Sequence, residues 1–304
     1  VEQQQRKRGI FLFVFAYSIA VVVAWLIIRT LPGDNPIIKA VVADGAATVV
    51  VFLFSIIVNN SSMYDPYWSV APPLIALYWF TTALQRVQGG GTTVRIVFVF
   101  ALVLFWGARL TYNWAHQWTD LSHEDWRYRE FREKHGKRYW LVSFAGIHFF
   151  PTVLVFLGCL SLYPAVTVHT RGFNILDIAA ILVTGGAVLI ETVADKQLYR
   201  FRTKKVDKKG VCEEGLWAHS RHPNYFGEVF FWWGLYLFAL AASPAYWWTV
   251  IGPAAMTLLF LFISIPMMEE REEKRKPGYS EYKSRTSAFI PWFKGEQSAE
   301  DMSY

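Results

Sequence analysis

Nine consecutive residues, Ser220-Arg221-His222-Pro223-Asn224-Tyr225-Phe226-Gly227-Glu228, gather a guanidinium, an imidazole, a carboxamide, a phenol and a carboxylate at the start of an apolar run. Pro223 suits the first position of a helix, where its missing N–H would have no intrahelical partner anyway. Residues 225–241 then read as a helix entering a bilayer. Asn224 and Glu228, four residues apart, fall on one face of that helix, with Tyr225 close by. Gly227 leaves room for a close approach. An acid at that depth, among Phe226, Phe230 and Phe231, needs a partner. A ligand amide or hydroxyl would serve, and so would a protein donor such as Arg109, Arg202 or Tyr225. A helix cap followed by an interfacial aromatic belt is the plainer account of the same residues.

Other polar groups stand at the ends of apolar runs. Arg109, Tyr112 and Asn113 close the run 92–112, Glu191 and Asp195 close 174–194, and Glu269, Glu270 and Arg271 follow 246–266. Arginines and lysines there would suit an anionic ligand, and carboxylates would suit ribose hydroxyls or an adenine amine. Ion pairs that brace a helix bundle are the competing reading. The stretch Asn59-Asn60-Ser61-Ser62-Met63-Tyr64-Asp65-Pro66-Tyr67-Trp68 offers a tyrosine hydroxyl and an aspartate to a substrate, or is an Asx–Pro turn with interfacial aromatics. No Gly-x-Gly-x-x-Gly stands between a strand and a helix, and no serine sits in a nucleophile elbow. His219 and His222 lack further ligands nearby, so no metal site is expected. Cys159 and Cys212 lie in different kinds of segment and imply no disulfide framework.

The elements that must position these groups are membrane spans. Of the 304 residues 54% are hydrophobic and only 18% charged, and the charges cluster between apolar runs, which no ordinary soluble domain would do. Spans are expected at 10–31, 38–58, 69–85, 92–112, 140–165, 174–194, 225–241 and 246–266, with Pro151 tilting or breaking the fifth. The expected fold is therefore all-alpha, a polytopic integral membrane helical bundle of seven or eight transmembrane helices with a cytoplasmic C-terminal cofactor pocket. Seven is the alternative count because Asp44, Pro72 and Pro73 blur the second and third spans. The run 10–31 is too long for a signal-peptide core and is followed by no small-residue cleavage site. Arginine and lysine concentrate in 2–8, 113–139, 195–222 and 267–304, which puts those segments, and both termini, on the cytoplasmic side. The tryptophan and tyrosine content of 113–139 lays that loop against the membrane. The net charge of +6 belongs to this flanking pattern, so nucleic acid is not an expected partner. No internal repeat supports a transporter.

From about Val99 to Phe293 the chain resembles the steroid 5-alpha-reductase-like family, in particular its bacterial-type branch, DUF1295. The resemblance rests on Arg109, Asp125-Trp126-Arg127-Tyr128, Glu191-Thr192-Val193-Ala194-Asp195, Arg202, the 220–228 motif, Pro277-Gly278-Tyr279-Ser280-Glu281-Tyr282 and Thr286-Ser287-Ala288-Phe289-Ile290-Pro291-Trp292. Asp195 and Arg202 match the family's Asp and the Arg seven residues on; Glu191 stands where the family has Asn. Asn224, Gly227 and Glu228 match its Asn-x-x-Gly-Glu. Met267, Arg271 and Arg275 replace the Arg, His and Tyr of its last helix, and the Gln-Glu pair that grips the steroid carbonyl is missing.

The resemblance implies an NADPH-dependent reductase acting on the C=C bond of an apolar lipid or steroid-like enone that enters from the bilayer, with a monomer expected. Its implied cofactor contacts are Arg109, Glu191, Asp195 and Arg202, then Arg221, His222, Asn224, Tyr225 and Glu228, and finally Arg271 and Tyr282. Tyr67, Asp65, Tyr112 and Glu228 are the expected catalytic groups. The implied division is 1–98 as N-terminal helices lining a substrate cavity, 99–293 as the cofactor domain and 294–304 as a polar tail. Arg221-His222-Pro223-x-Tyr225-x-Gly227 and the Glu269-Glu270 tail also resemble the isoprenylcysteine carboxyl methyltransferases, so an S-adenosylmethionine-dependent methyltransferase is the alternative. A non-catalytic lipid-binding protein is a third.

Overall fold

The computed structural model describes residues 2–84, 90–168, 170–203 and 210–292. Among these residues all regular structure is helical. The long helices are α1 (Glu2–Thr30), α2 (Pro36–Ile57), α3 (Tyr67–Leu84) and α4 (Gly90–Gln117). Then come α5 (Trp126–His135), α6 (Tyr139–Val142), α7 (Phe150–Cys159), α8 (Leu162–Thr167) and α9 (Ile175–Thr203). The last are α10 (Pro223–Ala242), α11 (Ile251–Leu259), α12 (Ile265–Arg275) and α13 (Tyr279–Arg285). Helices satisfy every backbone polar group within the segment, which hydrocarbon demands.

Seven helical runs among the described residues are long and apolar enough to cross a membrane, and the chain is a multi-pass helical membrane protein. They include all the expected spans except 69–85. That segment is helical, as α3, but its Tyr, Trp, Thr and two internal prolines dilute its apolar character. The expected loop 113–139 is largely helix: α4 continues to Gln117, and a run of 42 residues begins at Trp126. The tail 294–304 and the lysines at 204, 205, 208 and 209 lie outside the described residues. The chain forms two compact units, Val1–Phe173 with Phe238–Gly252, and Asn174–Leu237 with Pro253–Tyr304.

In the first unit α1 lies along α2, with Phe13, Ala16 and Ala20 in one buried cluster with Ala47 and Val51. The turn between them is set by Asn35, whose Oδ1 accepts from the amides of Ile37 and Ile38 at 2.9 and 3.2 Å, and by Pro36 at the first helical position. Pro73 cannot donate to the carbonyl of Ser69, and that freed oxygen packs against Gly107 of α4, where a Cβ would stand 2.6 Å from it. Buried Arg95 donates to the carbonyls of Arg171, Gly172 and Ala241. Pro151 does not break its span. Ser143–Phe149 widen into a π-helical turn, with the Phe150 amide donating to Ala145, and the helix continues. The second unit repeats the device at Phe260–Ser264, just before Pro266.

In the second unit α9 and α10 meet along Gly227 and Gly234, seven residues apart. A Cβ on Gly227 would lie 2.5 Å from Cγ of Glu191 and 2.8 Å from the carbonyl of Ala187; one on Gly234 would strike Thr184. Gly185 of α9 has open space at its Cβ position. Gly227→Ala is therefore expected to destabilise the protein by roughly 1–3 kcal/mol through overpacking, while Gly185→Ala stays near wild type. Thermal melts of both variants check this, and equal melting temperatures would refute the close crossing.

Candidate functional site

The 220–228 motif is built in two parts, one turned to the C-terminal segment and one to the helix face. In the first part, Ser220 donates to the carbonyl of Phe289 at 2.8 Å and accepts from the amide of His222 at 3.1 Å. The backbone of Arg221 donates to Ser287, and that of Trp292 donates to His219. The Arg221 guanidinium reaches Glu269 at 2.7 Å and the carbonyls of Lys283 and Thr286. His222 Nε2 lies 3.3 Å from the same Glu269 oxygen, and Lys283 Nζ stands 3.2 Å from its other oxygen. Glu269 is thus ringed by three cationic or potentially cationic groups. The Tyr282 hydroxyl donates to the carbonyls of Trp217 and Ser220, and burial pushes that phenol's pKa upward. Arg221, His222 and Tyr282, expected at the cofactor, therefore direct the polar groups named here into bracing the motif.

The second part stays on α10. The ring of His222 stacks on Tyr225 at 5.3 Å, and Tyr225 packs on Phe260 at 4.8 Å. Glu228 is buried and accepts from Trp232 Nε1 at 2.8 Å, one turn further along the same helix. This indole is a partner the sequence reading did not name, although its spacing of four was visible. Asn224, one turn before Glu228, is half-buried, and its carboxamide has no hydrogen-bond partner among the described residues. Glu191 is buried against Gly227 and Asp195 half-buried one turn on, while Arg202 is exposed near the end of α9. Arg271 is half-buried on α12.

The first unit holds a separate buried polar cluster. The Tyr67 hydroxyl donates to Oδ1 of Asp44 at 2.6 Å. Oδ2 of Asp44 is buried with no hydrogen-bond partner among the described residues. Thr48 and Thr152 bond at 2.8 Å, and Tyr64 bonds to Thr152 at 2.7 Å. The rings of Tyr64 and Tyr67 stack at 5.0 Å. Asp65, expected beside Tyr67, faces elsewhere: its Oδ1 accepts from the Tyr128 hydroxyl at 2.8 Å. Burial, and then the charge of Asp125, push the Asp65 carboxyl up to about 7. The carboxylate that Tyr67 uses is Asp44, since α2 and α3 face each other there. Tyr112 is 67% exposed, with its ring stacked on His116, so it does not join this cluster. Arg109 is half-buried on the same helix.

The family model described as a protein of unknown function (DUF1295) matches residues 51–286, and the chain belongs to that family. The chain is similar to the uncharacterized protein C594.04c of Schizosaccharomyces pombe, with 25% identity over 86% of this chain and 81% of the yeast protein. No solved structure matches the chain.

The Asp65 carboxyl makes stability depend on pH. Its pKa is raised in the folded protein, so the folded state holds the proton better than the unfolded chain. That contribution is full below the ordinary aspartate range and is lost as pH rises through about 7. Between pH 6 and 8 the wild-type melting temperature should fall relative to that of Asp65→Asn, which keeps an acceptor for Tyr128 and does not titrate. Parallel melting curves for the two proteins would contradict this assignment.

Proposed function

We propose that this DUF1295 protein is a membrane-embedded reductase, using NADPH to saturate an electron-poor C=C bond of an apolar lipid or steroid-like enone drawn from the bilayer. The observation that carries the reading is the face of α10: at Asn224, a carboxamide with no hydrogen-bond partner among the described residues, one turn from the buried carboxylate of Glu228. The Asn224 carboxamide can pair with an amide or hydroxyl of a dinucleotide, with the Glu228 carboxylate one turn away. Glu191 and Asp195 offer acceptors for ribose hydroxyls, and Arg202 and Arg271 offer charge for phosphate.

When bound, NADPH supplies the hydride. The chain itself must receive the charge that hydride addition sends to the enone oxygen. Within the unit that carries the cofactor face, the Tyr225 hydroxyl, next to Asn224 on α10, is the neutral donor suited to this. The basic segments favour a cytoplasmic position for the α10 face, where NADPH is available. The methyltransferase alternative draws on Arg221, His222 and Glu269 forming one cluster, since these are residues of the methyltransferase-like pattern.

Asn224→Ala is the informative variant, because it leaves no protein group unpaired. Without cofactor its melting temperature should equal that of wild type. The stabilisation by NADPH should shrink, with affinity reduced about fivefold to tenfold for one lost hydrogen bond. Glu228→Ala should also weaken binding, but with some loss of stability because the Trp232 indole is left without that acceptor. Titrations with NADPH, NADH and S-adenosylmethionine complete the test. Undiminished NADPH stabilisation in Asn224→Ala would remove Asn224 from the site, and tighter binding of S-adenosylmethionine would replace the reductase by the methyltransferase.

A further inference from the structure

A cleft of about 460 Å³ opens in the first unit just past the end of α2, and neither the α10 face nor the Asp44 cluster includes it. Its charged lining is Glu124, Arg129, Arg132 and Glu133, together with Asn59 and Val58. Two of the four charges are committed to each other. Arg132 reaches the two Glu124 oxygens at 3.0 and 3.2 Å, and the amide of Ser61 and the Tyr139 hydroxyl add bonds to Glu124 at 2.8 and 3.1 Å. Arg132 also donates to Oδ1 of Asn59 at 2.9 Å, which leaves the amide nitrogen of that carboxamide as a donor. The other two charges are uncommitted. Arg129 and Glu133 are exposed, four residues apart on α5, and neither side chain has a partner among the described residues. The same spacing does produce pairs on α12 and α13, where Lys274 meets Glu270 at 2.5 Å and Arg285 meets Glu281 at 3.2 Å.

We propose that this cleft holds the headgroup of an ethanolamine phospholipid, with Arg129 and the Asn59 carboxamide on the phosphate and Glu133 on the ammonium. The charges select a zwitterion. With Arg132 and Glu124 neutralising one another, the cleft offers one cation and one anion, which a headgroup of zero net charge satisfies. A glycerol head brings no cation to Glu133, and a serine head adds a carboxylate that Glu133 and Glu124 repel. The spacing selects a short linker. Two carbons separate the phosphate oxygen from the ammonium, and residues four apart on a helix stand roughly 5–6 Å apart at Cβ. The lining selects a primary ammonium over a trimethylated one. Glu133 can accept from its N–H groups, whereas no aromatic ring stands among the described residues of the lining to cage a quaternary ammonium.

The cleft lies at the depth of such a head. Ile57 ends α2, an apolar run long enough to cross a membrane, and Val58 and Asn59 of the cleft follow directly. Trp140 marks the same level: its ring packs on Phe52 of α2 at 6.1 Å and has the Arg132 guanidinium 5.2 Å from its centre. Tryptophan collects at the border between hydrocarbon and headgroups. Leu53 and Ile57, one turn apart on α2, are 51% and 73% exposed and give acyl chains an apolar track next to the cleft. A soluble zwitterion would have no use for that track.

The lipid site goes beyond the reductase reading and does not depend on it, so its test needs neither cofactor nor enone. Full-length protein, purified in detergent and stripped of lipid, is titrated with ethanolamine, choline and glycerol phospholipids of identical acyl chains, and bound lipid is measured by native mass spectrometry. Wild type should hold the ethanolamine lipid roughly tenfold more tightly than the other two, the scale of one charge-assisted hydrogen bond. Glu133→Gln should erase the preference over the choline lipid without weakening the choline lipid itself. Arg129→Gln should weaken ethanolamine and choline lipids alike, by roughly tenfold. Lys137→Gln, which removes an exposed cation outside the lining, should behave as wild type. Arg129 and Glu133 brace nothing, so their variants should melt with the wild type, which separates lost binding from lost fold. Equal affinity of wild type for the three lipids, or an unaltered preference in Glu133→Gln, overturns the proposal. So does displacement of the lipid by free phosphoethanolamine at equal concentration, which would make the occupant a soluble zwitterion.

Discussion

A hydrocarbon interior offers no water, so a carboxyl, hydroxyl or imidazole carried into it must find its partner inside the protein. This chain takes an unusual number of such groups into its apolar helices, Asp44, Thr48, Ser55, His148, Thr152, Glu191 and Glu228 among them. The bonds described for them run to other side chains or to backbone carbonyls, and the helices are positioned so that these bonds can form. Thr48 of α2 meets Thr152 of α7, Tyr67 of α3 meets Asp44 of α2, and Ser61 ties the short turn before α3 to Tyr139 and Ser143. Oδ2 of Asp44 is one of the few buried side-chain atoms left without a hydrogen-bond partner among the described residues.

Two local devices let helices come close enough for this pairing. Glycines remove a side chain where a neighbour's backbone or acid must approach, as at Gly107, Gly227 and Gly252. Prolines release a carbonyl or widen a turn, and the two π-helical stretches each precede one. In both cases the protein gives up a regular helical feature to make a polar contact possible. Arg221 plays the corresponding part outside the spans. Its guanidinium gathers Glu269 and two backbone carbonyls, holding the chain before α10 against the C-terminal segment.

Sequence signals of short range were largely legible. Apolar run length marked the spans, Pro223 marked the start of α10, and the spacing of Asn224 and Glu228 placed them one turn apart. Partners distant in sequence were not. Arg221 and Glu269 are 48 residues apart, and nothing in either neighbourhood says that the guanidinium is committed to that acid. Asp65 is nearer to Tyr67 in sequence than Asp44 is, but Tyr67 bonds across to α2, so proximity in the chain misled. His148 sat silently in an apolar run, because a lone histidine there has no periodicity to announce it; its partners are Ser55 and Ser143, which only the packed helices bring to its two nitrogens. The polar segment 113–139 was read as loop from its charge, whereas it is helical over Trp126–His135 and carries Tyr128 inward to Asp65.

One chemical claim underlies these readings, that the buried acids and hydroxyls of this membrane bundle serve hydride transfer. The most direct test is to supply the purified protein, in nanodiscs, with NADPH deuterated at the nicotinamide C4 and a lipid extract containing enones, and to follow the lipids by mass spectrometry. NADP⁺ should form, and a lipid should lose one C=C bond while gaining one deuterium from the cofactor and one hydrogen from water. Cofactor that stays reduced with no deuterium in any lipid, or a methyl group gained when S-adenosylmethionine is supplied instead, would contradict hydride transfer.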